Sequence, residues 1–297
     1  MTAPETTRFA PSPTGPLHLG HAYAALIARD LAHASGGRYL LRIEDIDRQR
    51  SKPEWEAALV EDLDWLGLAP DAPPMRQSDR MGAYRAALDD LWARGLLYPC
   101  HCTRRDIEAA LDAPQEGVAL GPDGPVYPGT CRRAAPPTGP RPAGVHLRLN
   151  LARALAQTGP LCFDETGPAA PRHGRIALDP AEMIAGIGDV VLARRDFGTS
   201  YHLAVVVDDA AQGITLVTRG ADLFDATAIH VLLRALLDLP RPRYHHHALV
   251  RDAAGRRLAK RDDARAIRAY RAEGMTPAEV LALARAGTAR GQDGQGG

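Results

Sequence analysis

Apolar side chains mark out the first elements. Leu19, Tyr23, Leu26, Ile27 and Leu31 fall at helical spacing, which predicts a helix from about His18 to Ala34, ended by Gly36-Gly37. Before it, Thr6 to Ala10 reads as a short strand, broken by Pro11-Ser-Pro-Thr-Gly-Pro16. After it, Arg38 to Ile43 reads as a second strand, apolar at Tyr39, Leu40, Leu41 and Ile43. Strand, helix and strand in some forty residues make a βαβ unit, so the sheet is expected to be parallel with a right-handed crossover. Further helices are predicted over about 53–66 and 80–94. Regularity resumes at Tyr201 to Asp209, where Val205-Val206-Val207 reads as a buried strand. A strand at Thr215 to Val217, a helix over about 222–237 and a strand from Tyr244 to Val250 follow. The pattern closes with helices over about 264–273 and 276–286.

Between these regular halves, residues 98–175 change character. Prolines crowd in at Pro114, Pro122, Pro125, Pro128, Pro136, Pro137, Pro140 and Pro142. Cys100, Cys102 and Cys131 lie in the same stretch, so something other than an apolar core is expected to hold it together. The organisation read from the chain is a Rossmann-like α/β unit in two halves (1–97 and 176–250) interrupted by the 98–175 insertion. A basic loop and short C-terminal helical segment (251–290) and a disordered tail (291–297) complete it.

Composition narrows the function classes. With 297 residues, 45% of them hydrophobic but only 5% aromatic, the chain can bury a sizeable aliphatic core. Its 36 basic and 36 acidic residues balance, so no whole-molecule field draws in a polyanion. A local basic run from Arg251 to Arg271 is the exception. Lys52 and Lys260 are the only lysines, every other basic residue being arginine. A lysine in such a chain points to a place where a compact ammonium serves better than a planar guanidinium. The N-terminus has no signal-peptide pattern, and no apolar run approaches the roughly 18 residues of a membrane span. A reducing cytoplasm is the expected setting, where clustered cysteines point to metal.

Candidate chemistry gathers at the carboxyl ends of the first two strands, where open parallel sheets bind ligands. His18 and His21 are three apart and share one face of the first helical turn, whose N–H groups and dipole suit phosphates. Gly20 lacks a Cβ, so a base or ribose could pack on the backbone there. Glu44, Asp45 and Asp47 end the second strand. Cys-x-Cys plus Cys131 suggests zinc, with the fourth ligand open between Cys162 and His101 on spacing alone. His245-His246-His247 cannot all converge on one metal, because alternate strand residues point to opposite faces.

The run from Arg8 through Phe9, Ala10, Pro11 and Ser12 to His18-Leu19-Gly20-His21 resembles the first signature of class I glutamyl-tRNA synthetases. Arg257-Leu-Ala-Lys260-Arg261 resembles their second signature, with its first lysine replaced by Arg257. Arg42-Ile-Glu44-Asp45 and Arg219-Gly-Ala-Asp-Leu223 resemble two further family segments. The resemblance implies ATP, with Mg²⁺, at His18, Gly20, His21 and Lys260. It implies L-glutamate at Arg8, Phe9, Ala10, Pro11, Ser12, Glu44, Tyr201 and Arg219, with the ammonium on Glu44 and the carboxylates on the two arginines. His18, His21 and Lys260 are the implied catalytic residues. Tyr127-Pro-Gly-Thr-Cys131 resembles the family's Tyr-x-x-x-Cys pattern, which makes the Tyr127 phenol the implied fourth zinc ligand. Only 37 residues follow Lys260, too few for an anticodon-reading part. The chain therefore resembles the short paralogous family that places glutamate on the queuosine base of tRNA(Asp), and a monomer is expected. Two alternatives stand beside it: a truncated enzyme charging tRNA(Glu), and a non-catalytic zinc module that binds RNA.

Overall fold

The computed structural model describes residues 3–111, 119–252 and 265–289. Lys260, its neighbours Arg257 and Arg261, and the 291–297 tail lie outside the described residues. In chain order the elements open with β1 (Thr6–Phe9), α1 (Leu19–Ala34), β2 (Arg38–Ile43), α2 (Pro53–Trp65), β3 (Met75–Arg76) and α3 (Met81–Ala93). The insertion begins with β4 (Leu97–Cys100), α4 (Arg104–Leu111), a hairpin of β5 (Leu120–Gly121) and β6 (Gly124–Pro125), β7 (His146–Leu149) and α5 (Leu151–Ala156). There follow β8 (Leu161–Glu165), β9 (Gly174–Leu178), α6 (Pro180–Gly186), β10 (Val191–Ala193), α7 (Tyr201–Ala211), β11 (Leu216–Gly220), α8 (Thr227–Leu236) and β12 (Arg243–His247). Helices α9 (Ile267–Ala272) and α10 (Pro277–Ala289) close the described chain.

The βαβ unit forms as its pattern dictates. β1 pairs in parallel with β2, Phe9 opposite Leu41, and β2 with β3. On α1, Ala22, Ala25, Ala28 and Ala32 are fully buried, and these small residues let the helix lie close on β1, where the Thr7 hydroxyl donates to the Ala28 carbonyl at 2.7 Å. The second half repeats the arrangement: β11 pairs in parallel with β12, and β12 with β8, while β9 adds an antiparallel edge. The halves meet edge to edge, where the Thr215 N–H donates to the Thr6 carbonyl at 3.0 Å. Two apolar clusters flank this seam, one around α1, α2 and α10, the other around α3, α7 and α8. Each fully buried leucine in them, such as Leu26 or Leu232, contributes about 1.5–3 kcal/mol. No helix among the described residues is long and apolar enough to cross a membrane.

Four expectations change. Tyr201 to Asp209 is a helix, not a strand. The Ser200 hydroxyl caps it by accepting from the Leu203 N–H at 3.4 Å, and Leu203 to Val207 is apolar without a break, between the buried polar residues His202, Asp208 and Asp209. Such an unbroken apolar run carries no period to tell a buried strand from a buried helix. The helix expected over 222–237 starts as a 3₁₀ turn at Ala221–Leu223 and becomes α8 only at Thr227. The strand expected to reach Val250 ends at His247. Residues 161–175, grouped with the insertion by composition, form most of the β8–β9 hairpin on the sheet of the second half, and β7 pairs with β4 and β10 in a separate antiparallel sheet.

Candidate active site

The first signature turn is built around its two imidazoles. His18 is the N-cap of α1, and its Nδ1 accepts from the Gly20 N–H at 3.1 Å. His21 answers as the other half of a capping box, its Nδ1 accepting from the His18 N–H at 3.2 Å. A nitrogen that accepts carries no proton, so in each neutral ring the proton sits on Nε2. The backbone thereby fixes both side chains as Nε2–H donors at the positive end of a helix. The rings lie 3.9 Å apart, centroid to centroid. A Cβ on Gly20 would come within 2.9 Å of the His18 ring, so glycine is needed for the cap itself as well as for any ligand approach. Phe9 is buried with its ring edge-on to His21 at 6.5 Å. Downstream of Lys260 the chain returns to this turn: Ala266 bridges His18, and the Ile267 N–H donates to the Leu17 carbonyl at 2.9 Å.

The signature loop is tied to the end of β2. Pro11 is buried and its carbonyl accepts from the Glu44 N–H at 3.0 Å, while Ala10 is half-buried and Ser12 exposed. Arg8 and Glu44 are both buried and belong to one charged network. Asp209 is its centre, accepting from Arg8 Nε at 2.9 Å, Arg42 Nη1 at 2.6 Å and Arg234 Nη2 at 3.2 Å. Arg42 Nη2 reaches on to Glu44 at 3.1 Å. Burial pushes the Glu44 carboxyl up, against the pull of Arg42 and Arg8. Burial would likewise raise Asp209, but Arg8, Arg42 and Arg234 hold it well below the usual carboxylate range. Tyr201, the first residue of α7, has its phenol raised by burial and feels the charges of Arg219, Glu44, Arg8 and Arg42.

Arg219, near the end of β11, is buried, and its partners are all neutral. Nε donates to His246 Nε2 at 3.1 Å, Nη1 to His230 Nδ1 at 2.9 Å and Nη2 to Thr227 Oγ1 at 2.6 Å. Among the described residues no carboxylate forms an ion pair with it. Burial and the nearby guanidinium keep His230 well below the ordinary imidazole range, and burial also lowers His246. A buried cation held by neutral acceptors lacks the counter-ion that buried charges require.

The insertion carries the second constellation. The thiol sulfurs of Cys100, Cys102 and Cys131 all lie within 4.8 Å of one another. Tyr127 Oη is 3.5 Å from both Cys100 Sγ and Cys102 Sγ, and it accepts from the Cys131 N–H at 2.8 Å. At a Zn–S distance of about 2.3 Å, a tetrahedral site has edges of about 3.8 Å, so this set of three thiols and a phenol fits a zinc ion. Burial alone would raise the Cys131 thiol, yet the Tyr127 hydroxyl and the His101 N–H bring it down to about 7. Arg148 stacks on the Tyr127 ring at 3.8 Å. Cys162 lies elsewhere, on β8 beside Arg175 and Arg243, and His101 is exposed. The three consecutive histidines diverge as strand alternation requires: His245 meets Thr166, His246 meets Arg219 and Glu165, and His247 packs against Tyr23.

Sequence reasoning missed Arg42, Asp209, Arg234, His202, His230, His246 and Glu165. Arg42 stands in the Arg42-Ile-Glu44-Asp45 segment, where the resemblance assigns a role only to Glu44. Asp209 ends a run whose pattern reads as strand.

The model of one family, tRNA synthetases class I (E and Q), catalytic domain, matches residues 5–294. A glutamyl-Q tRNA(Asp) synthetase of Rhodobacter capsulatus is 62% identical over 93% of this chain and 98% of its own length. Another, of Albidiferax ferrireducens, is 42% identical over 90% of this chain and 88% of its own. Among solved structures, a glutamate tRNA ligase of Elizabethkingia meningosepticum in complex with its amino acid superposes with a TM-score of 0.67 at 26% identity. That match covers 87% of this chain and 52% of the ligase, so the chain spans about half of that enzyme. With the family model running nearly end to end and a relative this similar along its full length, the chain belongs to the glutamyl-Q tRNA(Asp) synthetases, a family of class I tRNA synthetases.

Proposed function

We propose that the chain activates L-glutamate with ATP and transfers it to the queuosine base of tRNA(Asp). Buried Arg219, gripped by three neutral acceptors, carries the reading: it needs an anion, and a dicarboxylic amino acid brings one. Tyr201 feels the charges of Arg219, Glu44, Arg8 and Arg42, which supports one pocket for them, with Glu44 the carboxylate proposed for the substrate ammonium.

Activation joins a glutamate α-carboxylate oxygen to the α-phosphorus of ATP. The bond from that phosphorus to the bridging oxygen of the β-phosphate breaks, and pyrophosphate leaves with the electron pair. The protein provides no covalent nucleophile and works by positioning and charge stabilisation. The Nε2–H groups of His18 and His21 donate to phosphate oxygens as negative charge grows there. Lys260 is proposed to neutralise the departing pyrophosphate. It stands six positions before Ala266, which is bridged to His18, a tether of at most about 22 Å. Magnesium, when it arrives with ATP, supplies further neutralisation of the phosphates. Cys100, Cys102, Cys131 and Tyr127 would hold a structural zinc, which braces the insertion.

The test uses two tRNA(Asp) preparations, one with queuosine and one lacking it. Labelled glutamate is expected to accumulate only on the first. Equal labelling of both, or labelling of tRNA(Glu), would overturn the acceptor assignment.

A further inference from the structure

Arg219 sits at the junction of two hydrogen-bonded arms, each ending on a carboxylate. In the first, Arg219 Nη1 donates to His230 Nδ1 at 2.9 Å, which leaves the His230 proton on Nε2. That Nε2–H donates to His202 Nδ1 at 3.0 Å, so the His202 proton is also on Nε2, and it donates to Asp123 at 3.0 Å. In the second, Arg219 Nε donates to His246 Nε2 at 3.1 Å, leaving the proton on Nδ1, which donates to Glu165 Oε2 at 2.6 Å. Glu165 is itself held through Oε1 by the Gly167 N–H at 2.6 Å and the His246 N–H at 3.0 Å. A Cβ on Gly167 would lie 2.1 Å from the His246 nitrogen, so this turn is closed around the carboxylate.

The polarity of both arms is forced. Every imidazole must be neutral and must turn one named nitrogen to accept from the cation side. Each carboxylate stands at least one ring away from Arg219, so it orients the guanidinium without taking the place of a substrate anion. The first arm also crosses the molecule. Asp123 lies in the hairpin turn between β5 and β6, four residues before Tyr127, which touches the cysteine cluster.

We infer that Asp123, His202, His230, His246 and Glu165 are positioning residues for Arg219, and that through Asp123 the cysteine-bearing insertion sets the affinity of the glutamate pocket. The inference rests on the assignment of Arg219 to glutamate binding. Losing the His230 acceptor leaves one guanidinium donor unsatisfied and free to tilt, which weakens glutamate binding while the phosphate chemistry at His18 and His21 proceeds.

The experiment measures glutamate KM and kcat in ATP–pyrophosphate exchange on the full chain. His230→Leu is expected to raise KM about tenfold or more with kcat within about threefold. His230→Gln can accept from Arg219 and donate to His202, and is expected to recover most of the affinity. Asp123→Ala, at an exposed position, is expected to raise KM severalfold with unchanged melting temperature, and Asp123→Asn to restore it. An Asp123→Ala protein with wild-type KM, or a His230→Gln protein as impaired as the His230→Leu one, would overturn the inference. The Asp123→Ala reading decides it even where His230→Leu fails to fold. Arg219→Gln separates the layers. If it leaves glutamate KM unchanged, the pocket assignment itself fails; if it raises KM while the Asp123 and His230 substitutions do not, only the relay fails.

Discussion

Replacing Asp209 by asparagine tests the buried charged network beneath the proposed glutamate pocket. The carboxylate is 3% exposed and is shared by Arg8, Arg42 and Arg234 at 2.6–3.2 Å. At an effective dielectric of about 20, a unit pair about 4 Å apart attracts by about 4 kcal/mol, so three contacts amount to about 12 kcal/mol before desolvation. Burying the carboxylate takes back several kcal/mol, and asparagine keeps one acceptor oxygen. Losing one partner of a buried pair costs about 3–5 kcal/mol net, and that is the expected loss here. For a chain of this size it corresponds to a fall of about 6–20 °C in melting temperature. The sign with pH follows from the depressed carboxyl. Its folded pKa lies below the unfolded value of about 3.9, so its stabilisation is complete above that value and is lost as pH falls below it. The gap between wild type and Asp209→Asn should therefore be widest near pH 7 and narrow below about pH 4. Urea unfolding monitored by circular dichroism across this range measures both effects. A difference under about 1 kcal/mol at pH 7, or one that persists undiminished at about pH 2, would refute the electrostatic reasoning.

Three further outcomes are expected. Glu44 is pushed up by burial, so its charge is held at a cost in the folded state. Glu44→Gln should then leave urea stability at pH 7 within about 1 kcal/mol of wild type while glutamate KM rises more than about tenfold; a large stability loss would contradict the assignment. Gly20→Ala places a methyl 2.9 Å from the His18 ring, so the cap, worth about 1 kcal/mol, should be lost. With it kcat for pyrophosphate exchange should fall; unchanged kcat would show that the cap does not orient His18. Metal analysis of purified protein should give one zinc per chain, lost in Cys131→Ser, weakened in Tyr127→Phe and kept in Cys162→Ser. Zinc loss in the Cys162 variant alone would move the fourth ligand.

The parts of the fold with a clean period were legible in the chain. α1 carries its apolar residues at helical spacing, and β2 carries Tyr39, Leu40, Leu41 and Ile43, so the first βαβ unit follows from local pattern. α7 was not, because an uninterrupted apolar run fits a strand or a helix, and the Ser200 cap is a weak signal beside Val205-Val206-Val207. That ambiguity also hid Asp209, which contacts Arg8 only because two turns of helix carry it from Tyr201 into the space between the sheet halves. Cys100, Cys102 and Cys131 stood out as a metal-type set because Cys-x-Cys spacing is restrictive, whereas Tyr127 came only from the resemblance, the spacing leaving the fourth ligand open between Cys162 and His101. The relay around Arg219 was beyond local reading: Asp123, Glu165, His202, Arg219, His230 and His246 come from six separate places and meet only through tertiary packing. His246 stood in view as one of three histidines, but alternation indicated only that they diverge, not which one turns inward.

ATP–pyrophosphate exchange without RNA, run with glutamate, glutamine and aspartate side by side, tests the central claim most directly. A pocket built on an unneutralised Arg219 should support exchange with glutamate and fail with glutamine, whose amide brings no charge, and with aspartate, whose shorter chain does not reach. Exchange with glutamine at a rate comparable to glutamate, or none with any of the three, would contradict it.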